Sequence, residues 1–347
     1  MMMDFDGARP TVPDVARRAG VSTATVDRVL NRRPGVRSAT ARRVLGAAAA
    51  LGYIAEADYA DAAPAASLRL VFLLPAGSNR FLAMLGRLVG GSEAPLAALG
   101  VRCRVETVEG FHPERLARDL LRHGRGADGV AFMALEHPAV REAVNALAAR
   151  GVPCVTLISD VANSRRAGYV GLDNRAAGRT AADLIARFLG GRPAKVAMIA
   201  GSLSYRAHEE REMGFLSLFQ ERYPQVEVVG LREGRDDEAR NHRHARALLA
   251  QHPDLAGIYN IGGGPEGVAR ALVEVRGGKD VVFVGHGLTP GTRALLVEGV
   301  MDAVITQNPQ ATVTSCVTIL KNVRAGLEPG LGVEPPRCEI VLRENLP

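Results

Sequence analysis

Nine arginines (Arg9, Arg17, Arg18, Arg28, Arg32, Arg33, Arg37, Arg42 and Arg43) fall within residues 1–55 of this 347-residue chain, opposed only by Asp4, Asp6, Asp14 and Asp27. That stretch carries +5 of the chain's formal +6, which leaves the other 292 residues almost neutral. A small cationic head on a neutral body is the charge distribution of a nucleic-acid-binding module joined to a part with a different task. Groups able to do covalent chemistry are not arranged for it. The sequence holds no Walker loop, no GxSxG and no HExxH. Cys103, Cys154, Cys316 and Cys338 are far apart, without a CxxC or a histidine at ligand spacing, and read as reduced, buried thiols. The glycine run 262–264 reads as a loop into a helix, with a phosphate cradle as the alternative. His242, His244 and His252 fall on a polar helix face and read as solvated. No catalytic residue, metal or cofactor is expected.

Composition, with 47% hydrophobic and 23% charged residues, is that of a globular chain long enough for two or three domains. Disordered, collagen-like and coiled-coil classes are excluded on those figures. No run of eighteen uncharged apolar residues occurs, and Asp4 and Asp6 interrupt the N-terminal segment, so neither a membrane span nor a secretory signal is expected and the protein is placed in the cytoplasm.

The head must be built from helices. Val12, Val15, Ala16 and Ala19 make one apolar face, closed by Gly20. Ser22 is placed to cap a second helix whose Val26, Val29 and Leu30 point inward, and Ser38 a third running over 39–51. A helix-turn-helix needs a small residue where the helices cross, a glycine able to take positive φ in the turn and a β-branched residue locking the second helix. Ala16, Gly20 and Val26 meet those needs at intervals of four and six.

With these positions in place, VPDVARRAGVSTATVDRVLN and the third helix ending in LGY resemble the LacI/GalR (lactose-repressor-like) transcription regulators. The resemblance implies that the second helix enters the major groove of double-stranded operator DNA, with Thr23, Ala24 and Arg28 meeting base edges. It implies phosphate-positioning roles for Thr11, Ser22, Thr25 and Asn31. An arginine one turn into such a helix can fork onto guanine O6 and N7. Two departures stand out. Asp27 replaces a serine and is either an orienting partner for Arg28 or Arg32 or a repulsive element against wrong registers. The segment after LGY carries Glu56, Asp58 and Asp61 with no basic residue, which argues against a hinge helix wedged into a minor groove.

From residue 68 to about 342, short apolar runs (68–74, 101–108, 129–133, 153–158, 194–200, 225–231, 255–261, 280–285 and 302–306) alternate with amphipathic stretches such as 81–99, 113–122, 174–189, 208–222 and 238–251. That alternation predicts α/β architecture with parallel sheets covered on both faces, and the length suits two sheets. The fold class expected is therefore an all-α helix-turn-helix head (1–54), a linker (55–67) and an α/β domain (68–347). The two subdomains of the latter are drawn as about 68–160 plus 289–320, and 161–288 plus 321–347.

PAGSNRFLAML, YVGLDNRAAGRTAADLI, AHEEREMGF, YNIGGG, VFVGHGLTPGTRALL and DAVITQNP also resemble the effector domain of the same family, related to periplasmic sugar-binding proteins of the ribose type. This implies two open α/β subdomains joined by three crossovers, a small molecule between them, and a homodimer. Ligands of open parallel sheets sit outside the carboxyl ends of the strands. By that resemblance the effector residues are Asn79, Phe81, Asp173, Asn174, Arg211, His286 and Gln307, with Asn260 added at a strand end. Relatives often have Asp-Arg after the fourth strand; here Ile158-Ser159 stand there, and the nearest acid is Asp160. Gly262-Gly263 and His286 replace further polar or acidic positions. The function expected is an effector-responsive DNA-binding regulator, a repressor, whose effector is a sugar, polyol or sugar acid. A regulator sensing a protein partner, and an enzyme fused to a DNA-binding head, are the alternatives.

Overall fold

The computed structural model describes residues 10–31, 33, 35–36, 38–54, 67–98, 100–278 and 280–347. Contacts divide the chain into two compact units, one ending at Ser67 and one beginning at Leu68. The linker expected at 55–67 lies outside the described residues apart from Ser67, as do Arg9, Arg32 and Arg37.

The head is three helices: α1 (Val12–Ala19), α2 (Thr23–Leu30) and α3 (Ser38–Ala50). Asp14 Oδ2 accepts from the Thr11 N–H at 3.0 Å, satisfying a donor at the start of α1. Gly20 closes α1 in the left-handed region at φ 62, and the Val21 N–H reaches back to the Ala16 carbonyl at 3.1 Å. Ser22 Oγ accepts from the Thr25 N–H at 3.2 Å and caps α2. Val15, Ala16, Ala19, Val26, Val29, Val44, Leu45, Ala47 and Ala48 form the core, while Val12 and Leu30 of the apolar faces pack against it partly buried. Helix α3 begins at Ser38 itself, one residue earlier than the capping pattern suggests.

The second unit holds two sheets. The first has strand order β2 (Val101–Glu109), β1 (Leu68–Ala76), β3 (Gly129–Phe132), β4 (Cys154–Leu157), β5 (Gly168–Val170), all parallel. Five consecutive buried residues, Leu70 to Leu74, show that β1 is covered on both faces. Helices α4 (Arg80–Gly91), α5 (Glu93–Ala98), α6 (Pro113–Gly124) and α7 (Pro138–Ala149) connect these strands. The single helix expected over 81–99 is two, because the poor helix formers Gly90 and Gly91 precede Ser92 and Pro95 cannot continue the ladder.

The chain then crosses to the second lobe through α8 (Asn174–Phe188), β6 (Ala194–Ala200), α9 (Arg206–Arg222), β7 (Val226–Glu233), α10 (Glu238–Gln251), β8 (Leu255–Asn260), α11 (Pro265–Arg276), β9 (Val282–His286), α12 (Pro290–Glu298) and β10 (Ala303–Thr306). It returns through α13 (Pro309–Arg324), whose Val313, Cys316, Val317, Ile319 and Leu320 join the core of the first sheet. It crosses once more to β11 (Glu339–Val341), antiparallel to β10. The second sheet runs β11-β10-β9-β8-β6-β7. Three crossovers thus join the lobes.

The subdomain boundaries drawn from the sequence need correction. Residues 168–170 belong to the first lobe, because β5 pairs with Val155–Leu157 of β4. Residues 303–306 belong to the second, because β10 lies between β9 and β11. The cysteine reading is corrected at one position: Cys154 and Cys316 are buried and Cys103 is half-buried, but Cys338 is exposed.

One close approach sets the geometry of the second lobe. A Cβ on Gly178 would sit 2.0 Å from the Arg211 carbonyl oxygen, and one on Gly214 would sit 2.0 Å from that of Arg175. Glycine at both positions lets α8 and α9 cross backbone to backbone, which brings Arg211 beside Asn174.

Candidate functional site

On the head, Ser22, Thr23, Ala24, Asp27, Arg28 and Asn31 are exposed and Thr25 half-buried, opposite the buried Val26 and Val29. Thr23, Ala24 and Arg28 thus share one open face of α2. Thr11 is exposed as well, but its hydroxyl donates to Asp14 Oδ2 at 2.5 Å. Asn31 Nδ2 donates to the Asp27 carbonyl at 3.0 Å and to its carboxylate at 2.7 Å. The Ser22 and Thr25 hydroxyls lie 2.9 Å apart. Three of the four expected phosphate donors are therefore engaged locally with a neighbour that accepts. Of the two partners foreseen for Asp27, Arg32 lies outside the described residues and Arg28 makes no ion pair among them; the Asp27 carboxylate pairs with Arg33 at 3.2 Å. Arg28 is thereby left to reach outward from a groove it shares with Ala24, Thr25, Gly35, Val36 and Thr40.

In the second unit a cavity of about 60 Å³ lies where the carboxyl ends of both sheets meet. Asn79 and Phe81 after β1, Arg211 on α9, His286 at the end of β9 and Gln307 after β10 line it, joined by Met133, Ile158, Leu172, His208, Ile261 and Thr306. Five of the nine residues singled out from the sequence thus converge on one space.

The other four do different work. Asn174 is buried behind the wall; its Oδ1 accepts from Arg211 Nε at 2.9 Å and its Nδ2 donates to the Tyr169 hydroxyl at 3.0 Å. Asp173 is exposed and caps α8 by accepting from the Ala176 N–H at 2.9 Å. Asp160 accepts from Thr156 Oγ1 and Arg166 Nη2, both at 2.6 Å, and does not reach the cavity. Asn260 is fully buried and donates to the Gly262 carbonyl at 2.7 Å, holding the glycine loop from below.

Two functional side chains escaped the sequence reading. His208 stands three residues before Arg211 on α9, so both project on one helix face; that spacing was available as a signal. Asp236 had none, being one of two adjacent aspartates in a loop. Its Oδ1 accepts from the Gly263 N–H at 2.7 Å, and its Oδ2 from Asn79 Nδ2 of the opposite lobe at 2.9 Å. The Asp236 carbonyl accepts from Ser78 Oγ at 2.6 Å. The glycine run is thus a loop into α11 whose exposed N–H is taken by the protein's own carboxylate. Across the rest of the cleft, Arg80 pairs with Glu238 at 3.0 Å and Glu266 at 3.2 Å, and the Glu136 N–H meets the Ser204 carbonyl at 3.0 Å. The lobes are closed on the cavity.

Electrostatically the wall has one cation. Burial pushes the His208 imidazole down to about 4 and that of His286 well below its ordinary value, so both are neutral at pH 7. Burial also lowers Arg211, but a guanidinium stays charged. His286 Nε2 lies 2.6 Å from the hydroxyl of Tyr259, a phenol that desolvation keeps protonated. Ile158 holds φ 63, unusual for a β-branched residue. Its N–H bonds the Val170 carbonyl at 3.0 Å and its carbonyl lies 3.0 Å from the Tyr169 hydroxyl. Backbone strain is thus held in place at the cavity wall, where it is most often found at ligand sites.

Residues 11–56 match the family of bacterial regulatory proteins of the lacI type, and residues 118–328 match the periplasmic binding protein domain. The ribose import binding protein RbsB of Bacillus subtilis (strain 168) is 27% identical over 187 residues, 54% of this chain and 59% of that protein. The D-allose-binding periplasmic protein of Escherichia coli (strain K12) is 28% identical over 189 residues, 52% of this chain and 60% of that protein. The chain thus spans about three fifths of the length of the curated relatives it matches. The crystal structure of GanP, a glucose-galactose binding protein from Geobacillus stearothermophilus, superposes with a TM-score of 0.72 at 23% identity, covering 81% of this chain and 99% of that one. The shared architecture is that of the two-lobed unit. Among the described residues no helix is long and apolar enough to cross a membrane. With its helix-turn-helix head and its two-lobed cleft both matched, the chain belongs to the periplasmic binding protein domain family and carries the DNA-binding head of a lacI-family regulator.

Proposed function

We propose that this protein is a cytoplasmic, sugar-responsive repressor: two copies bind a pseudo-palindromic operator through their heads, and a sugar or sugar derivative in the cleft changes operator affinity. The observation that carries the reading is the joining, on one chain, of a lacI-type head with an open recognition face to a binding-protein fold whose lobes close over a cavity. The curated relatives are named for ribose and allose, which supports a carbohydrate as the effector class. Thr23, Ala24 and Arg28 read bases; Ser22 and Thr25 at the positive end of α2 position phosphates, and Thr11 and Asn31 join them on releasing Asp14 and Asp27. Asn79, Phe81, His208, Arg211, His286 and Gln307 hold the effector. A single head offers too few contacts for specific binding at physiological salt, which supports a dimer.

Coupling follows from the closed cleft. A ligand that binds the closed lobes more tightly than the open ones shifts the population toward closure, by no more than its differential affinity. The test is selection of duplexes from a random pool with the full chain, followed by thermal-shift screening of sugars, polyols and sugar acids. A recovered palindrome whose affinity changes with the stabilising ligand supports the reading; sequence-indifferent binding overturns it.

A further inference from the structure

The wall of the cavity narrows the effector class, on the reading that the cleft is a receptor for a small molecule. Arg211 is 7% exposed. Of its five N–H donors, Nε bonds Asn174 Oδ1 and one on Nη1 bonds the Ile261 carbonyl, both at 2.9 Å. The other three have no protein partner among the described residues, and no carboxylate there stands within ion-pair distance of Arg211. The nearby acids are committed elsewhere: Asp236 to Gly263 and Asn79, Asp160 to Thr156 and Arg166. No aspartate or glutamate lines the cavity at all. A buried guanidinium without a counter-ion is costly, and with the lobes closed that cost is relieved when something negative occupies the cavity.

The neighbours add donors. Tyr259 is fully buried and its hydroxyl lies 2.6 Å from His286 Nε2; in the tautomer that lets this hydroxyl donate, the His286 proton sits on Nδ1 as a further donor. Gln307 spends one amide N–H on Thr312 Oγ1 at 3.1 Å and keeps the other, together with its Oε1 acceptor, against three open N–H donors on Arg211. A neutral sugar brings hydroxyls that each need an acceptor as well as a donor; an ionised acid brings oxygens that only accept. The surplus of donors matches the second kind. About 60 Å³, where one water needs about 10–15 Å³, holds about five waters, the room of a single monosaccharide unit or smaller.

We propose that the effector is a small polyhydroxylated anion whose carboxylate or phosphate takes the open fork of Arg211, with His286 and Gln307 donating to its remaining oxygens. A bidentate, charge-assisted pair of this kind is the strongest polar contact available to the site.

Calorimetry on the full, unsubstituted protein tests it, pairing erythronate, ribonate and gluconate with erythritol, ribitol and sorbitol, and adding ribose, allose, glucose and ribose phosphate. At least one acid should bind at least about tenfold more tightly than its neutral parent. Arg211→Met should weaken the acid far more than its neutral parent, so that the ratio of the two affinities falls toward one, and Arg211→Lys should restore part of that ratio. The comparison of acid with parent requires no variant, so a misfolded substitution does not spoil it. Preference for ribose phosphate over the aldonates supports the proposal with phosphate as the anion. A neutral sugar or polyol that binds as tightly as any acid overturns the proposal and leaves the receptor reading standing. Silence from every class overturns both.

Discussion

Separating Asn79 from Asp236 should open the cleft, and the two sides of that contact should fail as one. Asp236 is 6% exposed, and Asn79 Nδ2 is the side-chain amide that meets its carboxylate Oδ2 across the lobes. A hydrogen bond to a charged group is worth about 1.5–3 kcal/mol, so its loss shifts the closing equilibrium by about 10- to 150-fold. Asn79 also caps α4, its Oδ1 accepting from Phe81 and Leu82 N–H groups, and Asn79→Ala would confuse the two roles. Asn79→Ser keeps a capping oxygen and removes the amide. Asp236→Ala removes the acceptor and additionally orphans the Gly263 N–H. Measured as affinity for the tightest cleft ligand, each single variant should lose at least about tenfold, and the double variant little more than Asp236→Ala alone, giving a coupling energy of about 1.5–3 kcal/mol. Small-angle scattering should show a larger radius of gyration for each. Additive losses, with coupling below about 0.5 kcal/mol, would refute the idea that this contact latches the lobes.

Acidification should destabilise the second unit through its buried imidazoles. His208 falls from 6.5 to about 4 on folding, so the unfolded chain takes up its proton first as pH drops; its contribution is complete above about pH 6.5 and is lost toward pH 4. The full loss is about 3 kcal/mol from His208, with His286 acting in the same direction. Urea titrations at pH 7 and 5 should show the fall, and His208→Asn should flatten it; an unchanged slope counts against the buried, neutral assignment. Gly178→Ala would gain about 1 kcal/mol of helix propensity in open space, but a Cβ 2.0 Å from the Arg211 backbone carbonyl meets an overpacking cost at or above the top of the usual range of about 1–3 kcal/mol, which outweighs the gain. A lower melting temperature with weakened ligand binding is expected, and a rise would show that α8 and α9 are not in backbone contact. Arg28→Ala should cost about 1–3 kcal/mol on the preferred operator and relax preference at one base pair. Unchanged preference in a selection experiment would remove Arg28 from base reading.

The head was readable because its signals are local. Ala16, Gly20, Ser22 and Val26 each serve a neighbour within six residues, and short-range spacing is what a sequence displays. The strand-helix alternation was legible for the same reason, except where elements were too short to show a period. β5 and β11 have three residues each and are defined by their partners. The cleft was legible only in part. Asn79, Phe81, His286 and Gln307 follow apolar runs, and that position alone aims them at the carboxyl edge. Asp160 and Asp173 stand at equivalent places, yet Arg166 and the α8 N-terminus claim them. Asp236 reaches Ser78 and Asn79, more than 150 positions away, and Asp27 pairs with Arg33 and not with Arg28. Such choices are settled by tertiary competition among partners, which spacing does not encode.

On the proposed function, what enters the cleft governs what the head holds. The most direct measurement is the affinity of the full chain for its selected duplex, by fluorescence anisotropy at fixed salt, with and without the ligand that stabilises the second unit. A change of at least about fivefold, the low end of ordinary coupling energies, is expected, abolished by Arg211→Met but not by Arg28→Lys. An operator affinity indifferent to saturating ligand would contradict it.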